Sequence, residues 1–289
     1  MMLALITSLG GSAQAQSIPG STDYEPPALG VDYYRPSTDS QYALQVEDTH
    51  KPDDFVMGLE TWWVRDPLVW YDNDGLRNPI VGDAMALAAT AALGFGPVRV
   101  GMVAPVYLHS TGQGESRGSV LGDPSLELRV ARSRDGLGLG AAGRLVAPLG
   151  ASAQQLGQAG WSYEVSGIAD FTGDSFWVGA NIGFRGVPQV DLPDVSLNDQ
   201  LIYRLGAAWV ASPVWSVSGE LQGFATLSAL QSGATGNPRE FLASGHRNTD
   251  TRRLSLGVGV GQGAGIGAPR WRVVLGAGAQ SLAQTPASL

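Results

Sequence analysis

The stretch that most limits what this chain can fold into is Leu121–Gly150, where apolar and polar residues alternate on both sides of a turn dipeptide. Leu126, Leu128 and Val130 share one face, with Ser125, Glu127 and Arg129 on the other. The second arm sets Leu137, Leu139, Ala141, Leu145 and Ala147 against Gly138, Gly140, Ala142 and Arg144. Successive strand side chains point to opposite faces, so each arm reads as a strand with one apolar side. Asp135-Gly136 suits a two-residue type I′ turn, in which both positions need positive φ. Counting back from that turn places Leu126 opposite Leu145 on the apolar face. On the other face Glu127 lies opposite Arg144.

The same alternation recurs along the chain. Phe55, Met57, Leu59 and Trp63 form one row, and Met85, Leu87, Ala89, Ala91 and Leu93 the next. The alanines of that second row favour a helix in isolation. Its neighbour across Gly96-Pro97, with Val98, Val100, Met102, Ala104 and Val106, makes it a strand. Further rows begin at Trp161, Phe176, Leu201, Trp215, Leu254 and Trp271, giving eleven segments. Each runs to about ten residues, the length of a tilted strand crossing a bilayer. Tight turns at Gly96, Asp135, Gly173 and Ser212 alternate with long loops at 66–82, 109–120, 149–160, 188–198 and 226–250. Transmembrane barrels have this asymmetry and an even strand number. Either Gln41–Val46 supplies a twelfth strand, or the closing strand is absent. Aromatic residues mark the segment ends: Phe95, Phe171, Phe176, Trp209 and Trp215 by tight turns, and Trp62, Trp63, Trp161 and Tyr163 toward long loops. Two interfacial girdles have that form.

Composition narrows the function. There is no cysteine, which removes disulfides, thiolate metal sites and a cysteine nucleophile. A net charge of −8 argues against a nucleic-acid partner. Much of it is local, in Asp23, Glu25, Asp32, Asp39, Glu47, Asp48, Asp53 and Asp54. Met1–Gln16 has an apolar run ending in Ala13-Gln14-Ala15, the shape of a secretory signal and its cleavage site. The expected organisation is a signal peptide over 1–15, an acidic, Pro-rich leader over 16–52, extended or poorly ordered, a barrel over 53–281 and a tail over 282–289. The fold expected is all-β, an antiparallel up-and-down transmembrane β-barrel of about 12 strands, within 10–12. A soluble sandwich or lipocalin-like barrel also alternates. Its polar faces, however, carry more than the Gly, Ala, Ser and isolated charges found here.

With the apolar rows toward lipid, the inward set is Glu60, Arg99, Glu127, Arg129, Arg144, Glu164, Asp170, Arg185, Arg204, Glu220, Arg253 and Arg272. The aromatics expected at the membrane interface are Trp63, Phe95, Trp161, Tyr163, Phe171, Phe176, Trp209 and Trp215. A water-filled lumen lined by the charged set would be a passive pore selecting small polar solutes by size and sign. The same charges could instead pair across the lumen, Glu127 with Arg144 and Arg204 near Glu220, and fill it as a structural element. An outer membrane lipid hydrolase needs a nucleophile and a positioned base. The histidines are His50, His109 and His246, none read as lying inside a strand, and His109-Ser110 is the best candidate. Asp72-Asn73-Asp74-Gly75 resembles part of a calcium loop without its distal glutamate and reads as a surface turn. The glycines from Gly257 onward resemble a nucleotide loop, but no helix follows, and small inward residues account for them. No cofactor, metal or catalytic residue is expected.

The run from about Met57 to Ser281 resembles the N-terminal barrel of OmpA-family outer membrane proteins of the myxobacterial type. That barrel is similar to those of the phenol-degradation-type outer membrane transporters. The residues carrying the likeness are Asp66-Pro67-Leu68-Val69, Gly122-Asp123-Pro124-Ser125-Leu126-Glu127-Leu128 and Ala268-Pro269-Arg270-Trp271-Arg272-Val273. The resemblance implies a Gram-negative outer membrane protein. Its partners would be outer membrane lipid and lipopolysaccharide, periplasmic chaperones and the barrel-assembly machinery. Relatives continue into Asp-rich repeats and a peptidoglycan-binding domain with no counterpart up to Leu289, so peptidoglycan anchoring is not carried over.

Overall fold

Asp135 and Gly136 adopt φ of 53° and 83°, the positive pair that a tight turn between antiparallel strands requires. Around them Leu126 pairs with Leu145 and Glu127 with Arg144, the register the sequence specifies. A computed structural model describes residues 30, 32–49, 55–71, 77–112, 115–191, 196–227, 237–249, 251–261 and 267–281. The signal-like Met1–Gln16, His50, the Asp72–Gly75 turn and the 282–289 tail lie outside the described residues.

Twelve strands form one barrel. In chain order they are β1 (Phe55–Tyr71), β2 (Arg77–Phe95), β3 (Val98–Gly112) and β4 (Ser125–Arg134). Then come β5 (Leu137–Val146), β6 (Ser162–Thr172), β7 (Phe176–Gly186) and β8 (Gln200–Val210). The last four are β9 (Trp215–Thr226), β10 (Arg239–Asn248), β11 (Arg252–Gly261) and β12 (Trp271–Gln280). Each pairs antiparallel with the next, and β1 pairs with β12 from Val56↔Gln280 to Arg65↔Trp271, so the sheet closes. Closure leaves no strand edge with unpaired backbone groups, which hydrocarbon would not tolerate.

Several expectations are corrected. The twelfth strand is neither Gln41–Val46, which forms no strand, nor missing: it is β10, inside the stretch 226–250 read as a loop. Its outward row is Phe241, Ala243, Gly245 and Arg247, with a single large apolar residue, so the alternation is faint. The loop expected at 66–82 is mostly strand, since β1 and β2 run on through it with register shifts around Leu68. His109 and His246 both lie in strands, β3 and β10. With β10 in place, every tight turn and both barrel ends at Phe55 and Gln280 sit on one rim, and the long connections sit on the other.

The two faces of the sheet differ sharply. Outward side chains are apolar and exposed, as with Leu126 at 60% and Ile182 at 64%. Inward ones are charged and buried, as with Arg99 at 1% and Glu220 at 2%. Among the described residues no second layer covers the leucines, and the sheet closes on itself, which is not a sandwich. Exposed apolar rows on a closed barrel are stable against lipid chains. In refolding into lipid vesicles, Leu128→Arg, in the middle of its strand, is expected to cost about 2–4 kcal/mol and Leu137→Arg, at the tight-turn end, about 0–1 kcal/mol. Equal costs would contradict the assignment of hydrocarbon to the outer face.

Candidate functional site

Period-two alternation directs all twelve charged residues of the inward set to the enclosed side of the barrel. Seven of them are arginines against five carboxylates, and Glu240 of β10 adds a sixth acid that the sequence reading missed with its strand. Glu127 accepts a hydrogen bond from Arg144 at 2.6 Å, the cross-strand pair expected. Arg204 does not reach Glu220. It donates instead to Glu164 at 2.8 Å, because β8 lies against β7 and leans over β6.

The remaining inward charges meet the chain's own N-terminal segment. Residues 32–49 run inside the barrel from the long-loop rim toward the tight-turn rim, with Tyr34, Leu44, Val46, Glu47 and Asp48 buried. Asp32 at the upper end accepts from Arg272 at 3.0 Å and from the Trp62 indole at 2.6 Å. Trp62, expected among the interfacial aromatics, therefore points inward. Arg272 also holds Glu240 at 2.8 Å. Further down, Tyr34 donates to Glu60, and Asp39 takes both Arg99 and Arg129. Glu47 bridges Arg129 at 3.0 Å and Arg144 at 3.3 Å. Thr49 reaches Asp170, which also accepts from the Trp177 indole at 3.1 Å.

The segment forms no strand with the barrel. Its backbone is held by side chains: Glu220 accepts from the amides of Leu44, Gln45 and Val46 at 2.7, 2.8 and 3.1 Å. Asn181 accepts from the Glu47 amide at 2.7 Å, and its own amide donates back to the Glu47 carbonyl at 2.9 Å. Arg253 donates to the Ala43 carbonyl at 3.0 Å. A buried backbone without ladder partners needs such substitutes.

Inward glycines leave room for this segment. A Cβ on Gly101 would come within 2.9 Å of Thr38, and one on Gly257 within 2.5 Å of Leu44. Gly257, Gly259 and Gly261 belong to β11, so this part of the glycine-rich run is barrel wall, and the rest lies outside the described residues.

Neither described histidine sits in the nucleophile–base arrangement weighed for a hydrolase. His109 is exposed and Ser110 buried, so the two side chains lie on different sides of β3 and do not face a common site. His246 Nε2 lies 2.8 Å from Ser244 Oγ and 3.2 Å from Ser218 Oγ in a buried polar cluster. The aromatics Trp63, Phe95, Trp161, Tyr163, Phe171, Phe176, Trp209 and Trp215 all stand exposed. All lie near strand ends except Trp63, which sits midway along β1 because that strand runs on through the stretch read as a loop.

Among solved structures, an outer membrane channel from Pseudomonas putida F1 is similar at TM-score 0.62 and 14% identity, over 85% of this chain and 99% of that one. What the two share is the fold, a closed barrel of the outer membrane type. Weaker likenesses are the translocator domain of the autotransporter NalP from Neisseria meningitidis, at TM-score 0.47, 8% identity and 80% of this chain against 90% of that one. The β domain of the Bordetella autotransporter BrkA follows, at TM-score 0.46, 13% identity and 79% against 100%. No protein-family model and no curated protein matches the chain.

Overpacking a filled interior costs about 1–3 kcal/mol. Gly101→Val, whose three nearest neighbouring atoms all belong to Thr38, is expected to lower the heat-modification midpoint of the folded barrel on gels. Gly143→Val, on the outer face where a Cβ meets nothing, should leave it unchanged. Equal midpoints would contradict an occupied interior at Thr38.

Proposed function

We propose that this protein is an outer membrane solute channel held shut by its own N-terminal segment. The observation that carries the reading is the burial of residues 32–49 inside the closed barrel, on carboxylate–arginine pairs and side-chain-held amides. A passive, permanently open pore would leave that space to water. A segment without ladder hydrogen bonds can leave while the barrel wall stays intact, and that property favours a channel that opens over a permanently filled structural barrel. Once it leaves, the arginine-rich inward set from Glu60 to Arg272 lines the path for small polar solutes.

The outward aromatics serve as two interfacial girdles, with outer membrane lipid and lipopolysaccharide around them. Met1–Gln16 acts as the export signal, and periplasmic chaperones and the barrel-assembly machinery receive the chain. The OmpA-type motifs around Asp66, Gly122 and Ala268 are the residues that support kinship with the OmpA and phenol-degradation-type barrels.

Planar-bilayer recording separates the readings. The intact chain is expected to be closed for most of the record, and a form lacking residues 16–49 to conduct at least about tenfold more, roughly the factor that 1.4 kcal/mol of closing free energy represents. Asp39→Asn combined with Glu47→Gln should raise the open fraction without deletion. A folded, heat-modifiable deletion form as silent as its parent would favour the structural reading and overturn the channel.

A further inference from the structure

Arg185, at the long-loop end of β7, differs from the arginines that hold the segment. It is buried, with 2% of its surface exposed, and makes no ion pair among the described residues. Glu164 stands opposite it across β6 and β7, but hydrogen-bonds Arg204 instead. The faces of the guanidinium are covered by the rings of Tyr33 and Phe224, at 5.0 and 5.6 Å. Approach is left only at its edge, where five N–H donors lie in one plane. Among the described residues its one hydrogen-bond acceptor is Gln200 Oε1, at a long 3.4 Å.

That edge lines a cleft of about 350 Å³ of empty space, its open mouth included, between the start of the buried segment and the β7–β8 connection. The wall formed by the β7–β8 connection is apolar, with Val187, Pro188, Val190 and Leu197, and Gln158 adds a polar group on another side. Arg35 lies within Coulombic range of Arg185 and makes no ion pair among the described residues either, its guanidinium donating to the carbonyls of Asp32 and Tyr34 at 2.9 and 2.8 Å. Glu164 attracts Arg185 from the neighbouring strand but gives its hydrogen bond to Arg204, which leaves the Arg185 N–H edge short of acceptors. A planar guanidinium edge matches a carboxylate in two parallel hydrogen bonds.

We infer that the cleft over Arg185 binds a small organic carboxylate. Its head lies on the guanidinium edge beside Gln200, and its apolar body lies against Val187, Pro188, Val190 and Leu197. An inorganic anion would leave those apolar walls unused, and a neutral aromatic would leave the guanidinium unpaired. Tyr33 of the buried segment is part of the site, so binding is read in micelles with the segment in place. It requires no opening, and conductance in bilayers tests the channel separately.

The test is ¹⁹F NMR titration of the folded full chain in detergent micelles with 4-fluorobenzoate, 4-fluorobenzyl alcohol and inorganic phosphate. Saturable binding of the benzoate is expected, at least about tenfold tighter than the alcohol, a ratio equivalent to about 1.4 kcal/mol. Arg185→Gln should weaken it about as much. Val190→Asp, which adds a carboxylate to the loop wall and leaves the barrel strands untouched, should weaken it too, so the test survives if Arg185→Gln does not fold. Equal binding of the alcohol, displacement of the benzoate by equimolar phosphate, or unchanged binding in Val190→Asp would each overturn the inference.

Discussion

The structure depends on the pairing, in a closed space, of arginines from the barrel wall with carboxylates from the segment inside it. Arg99 and Arg129 have no wall carboxylate in an ion pair among the described residues, and a buried unpaired charge is strongly unfavourable. Asp39 and Glu47 supply their partners, and Glu47 and Asp32 add a second one to Arg144 and Arg272, which Glu127 and Glu240 already hold. Buried ion pairs of this kind add little net stability over an apolar filling. Their consequence is specificity: a carboxylate removed from its arginine leaves both groups costly, so the segment has one arrangement inside the barrel and a sharp cost for leaving it partway.

Shape works alongside charge. The inward face is short of bulk wherever the segment passes, with Gly101 beneath Thr38 and Gly257 beneath Leu44. Aromatic contacts fix its upper end, Tyr34 against Trp62 and Tyr33 against Phe224. Tyr42 stacks on Trp177 lower down. The outer face follows a separate rule, since it needs only apolar side chains of ordinary size against lipid. One strand therefore carries two independent codes, read at odd and even positions.

That separation explains what was legible in the sequence. The turn at Asp135-Gly136, the register of Leu126 and Leu145, and the inward placement of the charged set follow from period two and turn chemistry, which act between neighbours in the chain. β10 escaped because Ala243 and Gly245 blank out its apolar row. The destination of the segment escaped for a different reason. Asp32 and Arg272 are 240 residues apart, and nothing local in the acidic stretch says that it lies inside a barrel. One signal was available: a surplus of acid before the first strand, and a surplus of arginine on the inward rows after it.

The central claim is that residues 32–49 occupy the barrel interior. The chain has no cysteine, so a single introduced thiol reports on one position. Ser40 is fully buried and its hydroxyl has no hydrogen-bond partner among the described residues, so Ser40→Cys breaks no hydrogen bond there, whereas Ser133 is exposed beside the Asp135 turn. With a water-soluble maleimide, Ser133→Cys should label at the rate of a free thiol. Ser40→Cys should react at least about a hundredfold more slowly until heat unfolds the barrel, as expected for a group that exchanges only through opening. Equal rates in the folded, heat-modifiable protein would contradict the account.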